Sequence, residues 1–251
     1  MTANGRRRRV VIDCFPESLP TYSNDYAIVA VDVIRATTTA VTGVALGRRC
    51  FPVESIEQAV ALARRLRNPL LVGELGGSMP FGFDLQNSPA ALAARLETAR
   101  PMILLSTSGT RLMCGASDAQ TVYVTCLRNY RATAAQLAVE HPAVAIIGAG
   151  ARGEFRDEDQ LCCAWIAQLL LEAGYAPENE QTEAIVSRWD GMPVESITAG
   201  ASADYLRRTG QLRDLDFILS HVDDLDDTMV MERNQVVKRT LRGASVLLPA
   251  G

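Results

Sequence analysis

Between residue 10 and about residue 175, short runs of β-branched and apolar residues alternate with segments whose apolar positions recur at helical spacing, which is the pattern of an α/β protein. The strand-like runs are 10–14, 26–33, 50–53, 70–73, 102–107, 121–125 and 143–148. Several are apolar throughout, without the alternation of a half-solvated strand, so both of their faces must be covered. The clearest helix spans 56–67, where Ser55 and Gln58 make a capping box and Ile56, Ala59, Val60 and Ala63 fall on one stripe. A second helix starts with Ser88 as its cap and Pro89 in its first turn, and a third runs over 157–173 and stops at Gly174. The architecture expected is a mostly parallel or mixed sheet flanked by helices. Beyond Tyr175 the pattern weakens into shorter polar segments, read as a more helical C-terminal region attached to the same core. Residues 1–9 read as a basic tail and 10–251 as one domain, undivided by any internal repeat or low-complexity linker.

The composition narrows the class. Of 251 residues, 48% are hydrophobic and 22% charged, ordinary values that set disorder and fibrous folds aside. The net charge is −4, and setting aside the run from Arg6 to Arg9 leaves a body near −8, the wrong footprint for a dedicated nucleic-acid binder. No stretch approaches the roughly 18 uninterrupted apolar residues of a membrane span, and no secretory leader is recognisable. Six cysteines without C-x-x-C spacing and only two histidines argue against a zinc cage. The adjacent Cys162 and Cys163 in an apolar helical run suit free thiols in a reducing cytoplasm. Neither His141, before a proline, nor His221, in an acidic stretch, has a nucleophile motif beside it, so a histidine-based catalytic unit has no support.

The residues just past each strand are informative, because in open α/β sheets ligands bind outside the carboxyl ends of the strands. The second strand ends in Asp32-Val33-Ile34-Arg35-Ala36-Thr37-Thr38-Thr39, the fourth in Gly73-Glu74, the fifth in Ser106-Thr107-Ser108-Gly109-Thr110, and the last in a glycine-rich loop from Gly148 through Arg152 to Gly153. Asp32 reads either as a helix cap or as a catalytic or ligating acid. Arg35 beside three threonines suits a clamp on an oxyanion or phosphate, and the turn from Thr107 to Thr110 suits close backbone approach to one. Glu158 and Asp159 open a helix, where acids are favoured by the dipole whatever else they do. Asp84 and Asn87 share one loop with the capping Ser88. The acids Asp223, Asp224, Asp226 and Asp227 read as a solvated loop in preference to a cation site. Several acids and one arginine on a single edge suggest Mg²⁺, which takes one or two carboxylates, keeps waters and completes its shell with phosphate oxygens. The spacing from Cys126 to Arg131 is one short of a cysteine phosphatase, and Ile34 stands where an aspartyl-phosphate phosphatase needs its second aspartate.

The strings DVIRATTT, GE, GFDLQNSP, T-x-GT, the subsequent Asn129, and G-A-G-x-x-G-x-F-x-x-E-D, in this order, closely resemble the 2-phosphosulfolactate phosphatase family over residues 10 to 165. The resemblance implies an α/β fold and an Mg²⁺-dependent phosphatase releasing 3-sulfolactate, a step of coenzyme M biosynthesis. It implies functional positions at Asp32, Arg35, Thr37, Thr38, Thr39, Glu74, Asp84, Asn87, Thr107, Ser108, Gly109, Thr110, Asn129, Glu158 and Asp159. From chemistry, Asp32, Arg35, Asp84 and Glu158 are the catalytic candidates, and Asp32, Glu74, Asp84 and Asp159 the metal-ligating ones. The chain departs from the family pattern at Leu75, where arginine is usual, and at Ser108, Tyr130, Cys162, Cys163 and Trp165. A doubly anionic phosphate ester calls for a second cation, and Arg131 and Arg152 are the candidates. The partner expected is a small phosphate ester, with a homodimer as the candidate assembly. The alternatives are a binder of phosphate or sulfonate metabolites that has lost turnover, and an interaction protein using the acidic stretch.

Overall fold

A computed structural model describes residues 7–22, 24–116 and 119–239. In chain order the elements are β1 (Arg9–Cys14), α1 (Leu19–Tyr22), β2 (Ala27–Val31), α2 (Ala36–Ala45), β3 (Cys50–Val53), α3 (Ile56–Ala63), β4 (Leu70–Gly73), α4 (Pro89–Ala93), β5 (Met102–Leu105), α5 (Gly109–Gly115), β6 (Thr121–Thr125), α6 (Tyr130–Glu140), β7 (Ala143–Gly148), α7 (Asp157–Glu172), β8 (Ala176–Pro177), α8 (Glu180–Trp189), α9 (Ala201–Arg208), α10 (Leu212–Ser220), β9 (Thr228–Glu232) and β10 (Gln235–Arg239). Short 3-10 turns precede α1 and α9.

The strands form one mixed, mostly parallel sheet in the order β4-β5-β3-β10-β9-β6-β2-β7-β1-β8. The apolar runs behave as strands covered on both faces: every residue of β2, β5 and β7 is buried. Burying each such valine, leucine or isoleucine is worth about 1.5–3 kcal/mol. One face carries α6, α7 and α8 over β1, β2, β6 and β7. The other packs around α2, whose residues from Ala36 to Val44 are all buried and which touches β3, β5, β6 and β10. Only small side chains fit there: a Cβ on Gly43 would lie 2.7 Å from Met102 Cε. The sheet is therefore curled. Gly109, just past β5, comes against Asp32, just past β2, although β3, β10, β9 and β6 lie between those strands.

Local signals place the helices as expected, with shorter ends. Ser55 accepts from the amide of Gln58 at 3.2 Å, but the Gln58 side chain turns to the Glu54 amide, and α3 ends at Ala63 instead of Arg67. Ser88 accepts from the Ala91 amide at 3.1 Å with Pro89 behind it. Gly174 ends α7 at φ 88. Tyr130 and Trp165 pack against each other with ring centroids 5.2 Å apart.

Three expectations change. The sheet begins at Arg9, and Arg8 and Arg9 lie over the rings of Tyr175 and Tyr26, so this part of the basic run belongs to the folded body; residues 1–6 lie outside the described residues. The strands expected over 26–33 and 102–107 stop at Val31 and Leu105, where the chain turns into the loops that carry Asp32 and Thr107. The C-terminal region is not only helical: after α8, α9 and α10 it closes with the hairpin β9–β10, inserted mid-sheet between β3 and β6. Three acids of its loop are paired, with Asp223 accepting from Arg131, Asp224 from Arg128, and Asp227 meeting Lys238. All six cysteines are free thiols. Among the described residues no helix is long and apolar enough to cross a membrane.

Candidate active site

The carboxyl ends of β2, β4, β5 and β7 open on a cleft of about 410 Å³. Nine of the residues singled out from the sequence line it: Asp32, Arg35, Glu74, Asn87, Thr107, Ser108, Arg152, Glu158 and Asp159. Most sit in the floor. Asp32 is 9% exposed, Arg35 5%, Asn87 3%, Asp159 3% and Glu158 1%.

Asp32 leaves β2 at the tight turn into α2, where the Ile34–Arg35 peptide is cis. Its Oδ1 accepts from the Ala36 amide at 3.1 Å, and its Oδ2 faces Gly109, where a Cβ would fall at 2.2 Å. Glycine at 109 is thus a steric requirement of the Asp32 carboxylate. The acids opening α7 come in beside it. Asp159 Oδ1 accepts from the Val33 amide at 2.8 Å and Oδ2 from the Gly150 amide at 3.2 Å, which ties the loop after β2 to the loop after β7. Glu158 has a hydrogen bond with Ser202, while its Oε2 is buried with no partner.

Crowding three acids in a dry floor disfavours their charged forms. Burial raises Asp32 from 3.8 to about 6, opposed by the Ala36 amide and reinforced by the charge of Glu74. Burial raises Glu158 to about 7, with the charge of Asp32 adding to it, and Asp159 stands well above the usual carboxylate range for the same reason, with Glu158 and Asp32 as the neighbouring charges.

Glu74 forms the opposite wall. Its Oε1 accepts from the Thr107 amide at 2.7 Å, and its Oε2 from the Thr107 hydroxyl at 3.0 Å and the Gly77 amide at 2.7 Å. The Thr107 amide is thereby engaged and the Thr110 amide donates to Ser106 Oγ at 3.0 Å, so these two do not cradle an anion. Positive charge comes from arginines: Arg35 in the floor, and Arg152, Arg156 and Arg208 around the walls. Arg152 is exposed, at φ 53 in the loop after β7. At the departure from the family pattern, Leu75 is 38% exposed and outside the cleft lining.

Several residues singled out from the sequence are placed elsewhere. Asp84 accepts from the Leu71 amide at 2.9 Å and pairs with Arg100 at 3.3 Å, outside the lining of the cleft that holds Asp32, Glu158 and Asp159. Thr37, Thr38 and Thr39 are buried in α2. The Thr37 and Thr38 hydroxyls donate to the carbonyls of Asp32 and Val33 at 2.8 and 2.7 Å, bracing the turn that carries Asp32 without reaching the cleft. Thr110 closes the β5 turn on Ser106. Asn129 is fully buried and holds the Cys126 amide and the Val124 carbonyl. Arg131 pairs with Asp223 at 3.0 Å, away from the cleft.

Sequence reasoning missed the outer wall, built by Gly76 and Gly77 after β4 and by Ser202, Tyr205 and Arg208 of α9. Tyr205 donates to the Gly77 carbonyl at 2.9 Å, closing α9 on the β4 loop. It also missed Asp214 and Gln211, which accept from Arg35. The acids of α10 carried no motif, and the polar segments read beyond Tyr175 gave no signal that singled them out.

A divalent cation fits this donor set on two observations. The floor brings together three carboxylates that raise one another's proton affinity, and two buried oxygens, Glu158 Oε2 and Asn87 Oδ1, have no partner. Among the described residues no three acidic, histidine or cysteine side chains are grouped so as to hold a metal ion by themselves.

Comparison with known proteins gives a consistent answer. The sequence model of the family described as 2-phosphosulpholactate phosphatase matches residues 14–234. A probable 2-phosphosulfolactate phosphatase of Carboxydothermus hydrogenoformans is 33% identical over 205 residues, 81% of this chain and 85% of its own. One of Deinococcus radiodurans is 32% identical over 214 residues, 83% and 88% of the two chains. A third, of Caldicellulosiruptor saccharolyticus, is 28% identical over 228 residues, 86% and 92%.

Proposed function

The chain belongs to the 2-phosphosulfolactate phosphatase family, and from that premise we propose that it hydrolyses 2-phosphosulfolactate, or a small phosphate ester of similar charge, with Mg²⁺ bound in the cleft. The observation that carries the reading is the juxtaposition, at the strand ends, of three buried carboxylates with raised proton affinity and four arginines, one in the floor and three around the walls. Acids alone would repel a phosphate and arginines alone would only hold it. Together they suit binding an anion and moving a proton to it.

The cation would be held by Asp32 and Asp159, and would supply charge to offset the phosphate and polarise its oxygens. Arg35 faces the phosphoryl oxygens from the floor, where water is excluded and a charge-assisted hydrogen bond is strongest. Arg152 and Arg208 stand where the carboxylate and sulfonate of the substrate would emerge. Glu158, raised to about 7, carries a proton in a large fraction of molecules at neutral pH, and its Oε2 has no other partner. It gives that proton to the ester oxygen as the P–O bond breaks. The attacking water forms the new P–O bond and carries its two protons into the phosphate, which returns one to Glu158. Late proton removal from the nucleophile suits the loose transition state of phosphoryl transfer.

The test is phosphate release from 2-phosphosulfolactate and a panel of phosphorylated hydroxy acids, with added Mg²⁺ and with excess chelator. Metal-dependent release, reduced by Asp32→Asn at least about a hundredfold in kcat, is expected. Full turnover in chelator removes the metal from the mechanism, and binding of these esters without turnover makes the protein a metabolite binder.

A further inference from the structure

Arg35 does not set its own direction. It sits at the start of α2, one side of its guanidinium toward the cleft. On the other side Asp214 of α10 accepts from its Nη1 at 2.6 Å, and Gln211, one turn earlier, accepts from the same nitrogen. Asp214 is 3% exposed and outside the cleft lining, so it touches no substrate itself. Its second oxygen is also engaged: Oδ1 accepts from the Ser88 hydroxyl at 2.6 Å and the Ala90 amide at 3.1 Å. Ser88 caps α4 and adjoins Asn87, whose side chain lines the cleft. One carboxylate thus joins three segments distant in sequence.

We propose that Asp214 is a positioning residue of this site, which fixes the Arg35 guanidinium toward the phosphoryl group and, through Ser88, holds Asn87 in register with it. A buried ion pair is poor evidence of net stabilisation, since the desolvation of both charges offsets much of their attraction. What such a pair does supply is direction, because the Arg35 side chain would otherwise have several rotamers available across the cleft. The arrangement rests on the phosphatase reading for the identity of the anion and on its own geometry for the rest.

The test is a double-mutant cycle with Asp214→Asn, Arg35→Met and the double variant, reading kcat, KM and the affinity for inorganic phosphate. Asparagine keeps an acceptor for Ser88 and Ala90 but turns a donor toward Arg35. Asp214→Asn is expected to lower kcat at least about tenfold with KM changed less than about threefold, and to change kcat less than about twofold in the Arg35→Met background. Equal losses in both backgrounds would show a structural role and overturn the proposal. If Asp214→Asn does not fold, Gln211→Ala at a half-exposed position takes its place. It should lower kcat about threefold beside Arg35 and leave it unchanged beside Met at 35. Equal losses there, or none, also overturn the proposal. If the wild type releases phosphate from no ester, the functional reading fails by itself, and the same cycle is scored on the dissociation constant for inorganic phosphate.

Discussion

Replacing Asp32 with asparagine should make the metal-free protein more stable at neutral pH while removing its turnover. The floor raises this carboxyl from 3.8 to about 6 through burial and the nearby charge of Glu74. The folded state therefore holds a proton that the unfolded chain has lost, and stability falls as pH rises between those two values. Below about 4 the carboxyl is protonated in both states and there is no penalty. Above about 6 the penalty is complete, and at about 1.4 kcal/mol per pH unit it amounts to roughly 3 kcal/mol. Asparagine removes the charge and keeps an acceptor for the Ala36 amide, at a cost of about 1 kcal/mol for the weaker hydrogen bond. The net gain of about 2 kcal/mol should raise the unfolding midpoint by roughly 4–8 °C for a chain of this size. The assay is thermal unfolding of both proteins in chelator and phosphate-free buffer from pH 4.5 to 8. The midpoints should approach each other at the acid end and separate up to about pH 6.5. A variant no more stable than wild type at pH 8, or a difference independent of pH, would refute the reasoning and leave Asp32 as an ordinary helix cap.

The placement of other side chains sets further expected outcomes. Arg152→Ala should raise KM more than it lowers kcat, because the residue stands exposed at the wall and binds ground and transition states alike, whereas Arg131→Ala, breaking a pair with Asp223 outside the cleft, should leave both within about twofold. Gly109→Ala should lower kcat by at least about tenfold in a folded protein, because its methyl would displace the Asp32 carboxylate and Ala36; unchanged kinetics would show that the turn yields. Turnover should survive iodoacetamide near pH 7, since burial pushes the thiols of Cys14 and Cys114 up to about 12 and of Cys126 up to about 11, and raises the other three as well. Stoichiometric inactivation by labelling one cysteine would contradict that.

The seven strands before Tyr175 were legible because a strand buried on both faces leaves an unmistakable apolar run, and strand ends pointed to Asp32, Glu74, Thr107 and the α7 acids. What sequence cannot distinguish is the direction in which a polar side chain turns at such an end. Thr37, Thr38, Thr110 and Asn129 belong to the same motifs as the cleft residues, yet their groups close backbone turns from behind. Asp84 sits two residues from Gln86 and three from Asn87, but its loop carries it outward to Arg100. The β9–β10 hairpin was missed because its two-residue turn is Arg233-Asn234, both at positive φ, in place of the glycine that usually announces such a turn. Asp214 was invisible for a further reason. Its partners lie 126 and 179 residues away, and no local pattern encodes a contact of that span.

The hairpin in the middle of the sheet also bears on how this protein comes into being. Strands β4, β5 and β3 form one parallel block, and β6, β2, β7, β1 and β8 another; their edges meet only across β10 and β9, each held to its block by a single paired position, Val236 with Cys50 and Val230 with Tyr123. Glu74 and Thr107 stand on the first block, Asp32 and Asp159 on or beside the second. A ribosome that has delivered everything up to α10 has thus made every acid of the cleft and still left two sheets with raw edges facing each other. The last described dozen residues splice those edges. Without those residues each block would present a strand edge of unpaired N–H and C=O groups, the exposure that invites pairing with another chain, so a truncation just ahead of β9 is expected to cost solubility while leaving every acid of the cleft in the sequence.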